Sequence, residues 1–146
     1  MMPRFKRGRW REHGHAVIEI SLMAPWIFFL FMGTLDFGFY SYAIIATQNA
    51  ARVAVMQTSL NSTTATNNTL ACLYALTELN RLPNVSSLNT CGALPVIVNA
   101  TSVVDADGAN ASRVAVTYQS INMIPIPGLS GSITLTRTAQ MRLKGP

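Results

Sequence analysis

A long uncharged stretch near the N-terminus constrains this chain more than any other feature. Residues 20–35 read ISLMAPWIFFLFMGTL, and apart from Asp36 the apolar run continues to Ala46. A bilayer core of about 30 Å takes roughly 20 apolar helical residues, so residues 17–40 are long enough to cross a membrane. A buried globular helix is the alternative, but this run has no polar face to offer water.

The overall composition agrees with a membrane segment. Charged residues make up 12% of the 146 residues and hydrophobic residues make up 49%. A soluble domain usually carries about 25% charged residues, so about half of the usual charge is missing. This composition excludes a disordered chain of the high-charge type and argues against an ordinary cytosolic enzyme.

The net charge of +5 belongs mainly to a short N-terminal head. Residues 1–14 hold five cations and one acid, whereas residues 15–146 hold six cations and five acids. Such a head can bind nucleic acid or anionic lipid. Directly before an apolar segment, however, a cationic flank keeps the N-terminus in the cytoplasm. The head is therefore better explained as a topology signal than as a nucleic-acid arm.

The head and the apolar run do not have the form of an ordinary secretory signal peptide. Such a peptide has an apolar core of about 7–15 residues that ends at an Ala-x-Ala-like site. The run is longer here, and no such site occurs before residue 60. Conventional signal-peptidase cleavage is therefore disfavoured.

The junction between head and apolar run reads GHAVIE over residues 14–19. Here the sequence resembles the prepilins of type IV pilus systems. The resemblance implies that a dedicated peptidase cuts after Gly14 on the cytoplasmic side, which makes His15 the first and Glu19 the fifth residue of the mature chain. His15 departs from the small or apolar residue that is usual at this position.

The resemblance extends to the TadE-like pseudopilins of tight-adherence (Tad) pilus systems. It is carried by Pro25, by the triplet Asp36-Phe37-Gly38 and by an Asn-Ala-Ala-Arg segment at residues 49–52. It covers residues 7–56 well and the rest of the chain only in general pattern. A TadE-like chain is expected to be a structural minor pilin, not an enzyme, that serves cell adhesion or secretion.

The same resemblance implies partners and a location. The expected partners are other pilins, the prepilin peptidase and the inner-membrane assembly platform. The expected location is the bacterial inner membrane, with a cytoplasmic N-terminus and a periplasmic C-terminal domain. Whether the subunit also enters an extracellular pilus is left open.

Glu19 is the acid for which the resemblance supplies a partner. Cleavage after Gly14 creates an α-amino group whose pKa of roughly 7.7–8.0 leaves it largely cationic at neutral pH. If this amine pairs with Glu19 of a neighbouring subunit, the pair offsets the cost of placing an acid near lipid and fixes the register between helices. An unpaired glutamate at the level of the lipid headgroups is the alternative.

Further candidates for helix packing or kinking lie along the same segment. Asp36 follows Glu19 by 17 residues, about 25 Å along a helix, and so lies near the opposite face of the membrane. It is either an interfacial acid within an aromatic belt that includes Phe37 or a packing residue.

Three helix-breaking residues also lie in the predicted span. Pro25 removes a helix hydrogen bond and can kink the segment. Gly33 and Gly38 can allow neighbouring helices to approach closely.

The chain after the apolar run predicts a small exported domain. We expect the first helix to continue to about Ser59, a loop at residues 61–68 and a second helix over residues 69–81 that ends before Pro83. Leucines at positions 70, 73, 76 and 79 give the second helix a broad apolar face. We expect that face to pack on a sheet.

Residues 95–143 predict the strands of that sheet. A β-branched run at 95–104 precedes a turn at 105–108, and apolar and polar residues alternate at 113–119. A loop with Pro125, Pro127 and Gly128 leads to a second alternating run at 133–143. Period-2 alternation predicts a sheet with one buried and one wet face.

The predicted fold is therefore α+β. A long N-terminal transmembrane helix continues into a small exported domain, in which one further helix packs on a three-stranded antiparallel sheet. The predicted boundaries are a basic leader at 1–14, the long helix at 15–59 and the exported domain at 60–146. Arg137 interrupts the apolar side of the last strand. Its guanidinium group either reaches solvent at the edge of the sheet or marks a contact with another subunit.

Cys72 and Cys91 are the only cysteines. Outside the cytoplasm, two cysteines in one small domain are a disulfide candidate, which would tie the second helix to the loop before the first strand. In the chain-entropy model such a bond stabilises the fold by about 3 kcal/mol. A metal site needs more ligands than these two.

The sequence lacks the motifs of several other functions. It has no Gly-rich phosphate loop, and its two histidines, at positions 13 and 15, flank the expected cleavage site. Asp105, Asp107 and Asn110 could hold calcium, but a turn before a strand explains them. We expect no cofactor, no metal, no nucleic acid partner and no enzyme activity. The main alternative to a pilin-like subunit is an uncleaved single-pass membrane protein whose periplasmic domain binds a partner.

Overall fold

The computed structural model describes residues 12–121 and 131–145 of the chain. Residues 1–11 of the leader and the predicted loop with Pro125, Pro127 and Gly128 lie outside these ranges. The described residues form two compact units, of which one ends at Gly38 and the other begins at Phe39. The elements are α1 (Glu12–Thr58), α2 (Asn68–Leu79), β1 (Gly92–Ala93), β2 (Val96–Val104), β3 (Asn110–Gln119) and β4 (Thr134–Arg142).

In the first unit, α1 is an apolar helix whose side chains are almost all exposed. Trp26 is 73% exposed and Leu30 is 72% exposed. Pro25 lies inside the helix, which is assigned without interruption from Glu12 to Thr58. Serine and threonine side chains bond back to the helix, with Ser21 Oγ donating to the carbonyl of Val17 at 2.7 Å.

In the second unit, α1 buries a stripe of small residues. Ala43, Ala50 and Ala54 are 0% exposed, and their spacing keeps them on one side of the helix. Because alanine is small, the helix can approach its neighbours closely. The end of α1 is held by Thr58, whose Oγ1 is 2.8 Å from Ser112 Oγ, and by Ser59, whose carbonyl accepts from the amide of Lys144 at 2.9 Å.

The strands form one antiparallel sheet in the order β1-β2-β3-β4. Val98, Val116 and Arg137 lie side by side on the core-facing surface. Threonines dominate the opposite face of β4, where Thr136 Oγ1 lies 2.9 Å from Thr117 Oγ1. The predicted alternation of one buried and one wet face is confirmed.

The prediction of three strands was wrong, because the sheet has a fourth, β1. This strand comprises only Gly92 and Ala93, which pair with Ile97 and Val96 across a turn at residues 94–95. A two-residue strand has no periodicity that a sequence could reveal. The pairing instead follows from the neighbouring strand β2.

The second helix packs as predicted, but only partly through the predicted leucines. Asn67 caps α2, since its Oδ1 accepts from the amide of Leu70 at 2.9 Å. The buried residues of α2 are Ala71, Ala75 and Leu79, whereas Leu73 is 59% exposed. Of the four predicted leucines, Leu79 is therefore fully in the core, and two alanines supply the rest of the buried face.

The β2 edge of the sheet is covered. The amide of Val98 donates to the carbonyl of Cys91 at 3.1 Å, which extends the pairing begun by β1. Further along the strand, the amide of Ala100 donates to Asn68 Oδ1 at 2.6 Å. A strand, a backbone carbonyl and a side chain therefore occupy the first half of this edge.

Candidate assembly site

The expected cleavage site lies at the very start of α1. The helix begins at Glu12, so Gly14 and His15 lie in its first turn. The first four amides of a helix have no intrahelical partner, and glycine in a helix costs about 1 kcal/mol relative to alanine. Local unwinding at this junction, which would expose the backbone to a peptidase, is therefore inexpensive.

Glu19 and Asp36 are both exposed on the first unit of α1. Neither forms an ion pair with any residue that the structure describes, where the ion pairs all involve Arg142. The sequence also places no lysine or arginine between residues 12 and 51. Within the part of the chain that the structure describes, no basic side chain neutralises either acid.

The exposed apolar surface of α1 is larger than soluble monomeric proteins usually expose to water. Residues His15–Thr58 contain an 18-residue window with a mean hydropathy of 1.9, and none of that window is buried inside the protein. Monomeric soluble proteins rarely expose apolar patches larger than a few hundred Å². By length and composition this helix can cross a membrane, and its lack of burial argues against a core helix.

The backbone features of the helix do not serve packing within the chain. A side chain added at Gly33 or Gly38 would meet no atom within 4 Å. Phe37, between Asp36 and Gly38, is 71% exposed. Pro25 leaves the carbonyl of Ser21 without its usual helix donor. The structure thus places these predicted residues on surface that is open to lipid or to another molecule.

A comparison with protein families decides what this segment resembles. Residues 14–56 match the family model described as TadE-like protein. The segment is TadE-like. The match starts at Gly14, includes Glu19 and Pro25, and ends at Met56, within the last turn of α1. It confirms the resemblance to the TadE-like family over these residues. No curated protein and no solved structure matches the chain.

Outside the TadE-like segment, Cys72 and Cys91 form a disulfide. Their Cα atoms are 5.7 Å apart, and the bond joins α2 to the residue before β1. Cys91 is nearly buried, and its carbonyl is the one that accepts from Val98. The disulfide therefore also anchors the segment that covers the β2 edge.

The acids after β2 form a turn and an ion pair. Gly108 has φ +81° and donates its amide to the carbonyl of Asp105 at 2.9 Å. Asp105 and Asp107 both lie against the guanidinium of Arg142. In the described part of the chain, no three acids, histidines or cysteines are grouped so that they could hold a metal ion.

A groove of about 860 Å³ runs beside α2. Leu70, Leu73 and Leu76 line it from the helix, and Leu88 and Ile97 line it from the other side. Among the described residues, no ionisable side chain lines the groove. The groove was not predictable from the leucine pattern, because Leu70, Leu73 and Leu76 were expected in the core, whereas Ala71 and Ala75 are the residues that are buried.

Proposed function

We propose that this protein is a pilin-like subunit of a Tad pilus system, held in a bacterial inner membrane and assembled through α1. The observation that carries the proposal is the large apolar side chains of the TadE-like segment, which are exposed instead of buried. Such a surface is stable only in contact with lipid or with neighbouring helices. A subunit that passes from the membrane into a filament exchanges its lipid contacts for contacts with the helices of other subunits.

The leader and the exported unit fit opposite sides of the membrane. The cationic residues before Gly14 favour a cytoplasmic N-terminus by the positive-inside rule. The disulfide between Cys72 and Cys91 suits an oxidising compartment such as the periplasm. Cleavage after Gly14 then removes five of the eleven cations and creates a cationic amine at His15.

The new amine and Glu19 are the proposed means of assembly. Glu19 is exposed on a stretch of helix without any cation, so an amine from a neighbouring subunit supplies the missing charge. In a low dielectric this pair is stronger than in water, and it favours a single axial register. The partners in this proposal are other pilins, the prepilin peptidase and an inner-membrane platform, and the role is structural instead of enzymatic.

Mass spectrometry of the intact protein, purified from membranes, tests the processing step. In cells with an active prepilin peptidase we expect His15 as the first residue, and in a peptidase deletion we expect the full leader. Retention of Met1 or Met2 where the peptidase is active contradicts the proposal. That result favours an uncleaved single-pass membrane protein with a partner-binding domain.

A pair of acid variants tests the assembly step. Glu19→Ala should leave membrane insertion and cleavage intact and reduce pilus output, because the register-setting charge is gone. Asp36→Ala is the matched control on the same helix, and it should have a smaller effect. Pilus output at the wild-type level in Glu19→Ala would count against the pairing.

A further inference from the structure

No residue that the structure describes pairs with the outer edge of β4, over the whole length of that strand. The backbone groups of the odd-numbered residues of β4 bond to β3. Two bonds at the ends of the strand show this alternation: the amide of Ser120 donates to the carbonyl of Ile133, and the amide of Leu143 donates to the carbonyl of Asn110. The backbone groups of the even-numbered residues therefore point away from the sheet. Within residues 12–121 and 131–145, no group is hydrogen-bonded to them. The even-numbered residues are Thr134, Thr136, Thr138, Gln140 and Arg142.

The shape of β4 suits the addition of a strand. It is nine residues long, contains neither proline nor glycine, and pairs with β3 without a bulge. The β2 edge differs, because β1, Cys91 and Asn68 already occupy its first half. A long and regular edge is a template for an extended segment of another chain.

Arg137 indicates the charge of that segment. It lies on the core-facing side of β4 beside Val116, it is partly buried, and it forms no ion pair with a described residue. The other cation of β4, Arg142, is already neutralised by Asp105 and Asp107. Arg137 is thus the charge on this strand that lacks a counter-charge in the described structure.

Antiparallel addition would bring an acid within reach of Arg137. A strand bonded to the even-numbered residues of β4 places its residue opposite Arg137 in a non-hydrogen-bonded pair. In such pairs the Cα atoms are about 4.5 Å apart and the side chains are closest. An aspartate or glutamate at that position can form an ion pair with the guanidinium at the rim of the core.

A second copy of this chain fits the edge poorly. Full overlap of two β4 strands is centred on Thr138, which sets each Arg137 opposite Ala139 of the other copy. The two arginines are then diagonal neighbours at about 7–8 Å, where like charges repel. Neither arginine gains an acid in this arrangement.

We infer that the open edge of β4 binds an extended segment of a different exported subunit of the pilus system. The segment adds as an antiparallel strand and sets an acidic side chain opposite Arg137. This inference rests on the proposed function, which supplies other exported subunits as neighbours. It adds a contact in the exported unit to the one proposed for α1.

Photo-crosslinking in cells tests the inference on the full-length protein. A photoreactive residue at Thr136 lies on the open edge, and the same residue at Thr101, on the outer face of β2, is the control. We expect an adduct from position 136 that joins a different exported subunit through a peptide containing Asp or Glu, and none from position 101. An adduct of two copies, an adduct with a protein unrelated to the pilus, or no adduct would each overturn the inference.

Two matched variant pairs test the backbone and charge contributions. Thr138→Pro removes one edge-facing amide and should lower the adduct yield about tenfold, whereas Thr138→Ala keeps the amide and the yield. Arg137→Glu should lower the yield by at least about tenfold, whereas Arg137→Lys should retain most of it. Unchanged yield in Thr138→Pro and Arg137→Glu, with unchanged melting of the protein, contradicts strand addition.

The outcomes separate this inference from the proposed function. If His15 is the mature N-terminus but position 136 gives no adduct, strand addition alone fails. If the leader is retained and the adduct still forms, the edge binds a partner in a protein that is not a processed pilin.

Discussion

The two parts of α1 use apolar residues in opposite ways. Up to Gly38, large side chains such as Trp26 and Leu30 are more than two-thirds exposed. From Phe39 onward, the buried positions are mostly alanines, including Ala43, Ala50 and Ala54, which are 0% exposed. One helix thus carries large residues where nothing in the described chain covers it and small residues where it joins the core of the second unit.

The comparison shows that residue size, more than hydrophobicity, distinguishes the two environments. A lipid-facing helix gains from a large apolar area and has no fixed shape to fit. A helix packed on a sheet has to fit a close-packed interior, where small residues permit close approach. The same apolar composition therefore accompanies an exposed helix surface before Gly38 and a buried one after it.

Removal of the disulfide should have the largest effect on stability, and it should affect the second unit but not the first. Replacing Cys72 and Cys91 together by serine should lower the free energy of unfolding of the second unit by about 3 kcal/mol, because a 19-residue link is lost from the unfolded chain. Circular dichroism during thermal unfolding measures this, and wild type in excess dithiol is the control. Membrane insertion of the first unit should not change. A loss of stability below about 0.5 kcal/mol would contradict the expected role.

A charged side chain introduced into the exposed part of α1 should weaken membrane insertion and leave the stability of the second unit unchanged. Phe29→Arg should cost about 2.5–3.5 kcal/mol of insertion free energy if residue 29 lies near the middle of a bilayer. The fraction of protein that resists alkaline extraction from membranes measures it, and Phe29→Leu is the matched control. If Phe29→Arg remains as tightly membrane-bound as Phe29→Leu, this part of the helix does not contact the lipid interior.

An exchange of residue size between the two parts tests the comparison directly. Ala50→Leu should destabilise the second unit by about 1–3 kcal/mol, because it inserts three carbons at a position that is 0% exposed. Leu30→Ala should change the unfolding of that unit by less than about 0.5 kcal/mol, since Leu30 lies in the first unit and is 72% exposed. Similar effects of the two changes would remove the basis of the comparison.

The smallest expected effect concerns Tyr118 in the core of the second unit. Its hydroxyl lies 3.2 Å from both the carbonyl of Pro83 and Asn84 Oδ1, so Tyr118→Phe should cost about 1 kcal/mol. Burial also raises the pKa of the Tyr118 phenol. The folded state therefore favours the neutral phenol, and its contribution is present below about pH 10 and is lost as the pH rises above that value.

Unfolding measured between pH 8 and 11 checks this dependence. The difference in stability between wild type and Tyr118→Phe should shrink as the pH rises above about 10. A difference that stays constant across this range would mean that the phenol is not shielded from water in the folded state.

Local patterns made much of the fold predictable. The uncharged run predicted α1, a β-branched run predicted β2, period-2 alternation predicted β3 and β4, and Asp105 with Gly108 predicted the turn between strands. Each of these depends on residues that are close in the sequence. The resemblance to TadE-like proteins likewise depended on local motifs, among them the spacing between Gly14 and Glu19, which can be read directly from the sequence.

Features that depend on distant contacts were not predictable. The strand β1 exists because Gly92 and Ala93 meet β2, and the bond from Ala100 to Asn68 joins residues 32 positions apart. The buried face of α2 was only partly predicted: Leu79 is buried as expected, but Ala71 and Ala75, and not Leu73, complete that face. For the candidate site, spacing pointed to Gly14 and Glu19, but the described chain contains no ion-pair partner for Glu19.

The covered β2 edge has a consequence for stoichiometry. A sheet that is open at both edges can join copies without limit, as cross-β fibres do. Here Asn68 and the segment held by Cys91 occupy the first half of the β2 edge. Among the described residues, only β4 therefore offers an unoccupied edge over a full nine-residue strand. The two edges of the sheet are thus unequal, and a long strand that adds at one of them does not find an equivalent edge at the other.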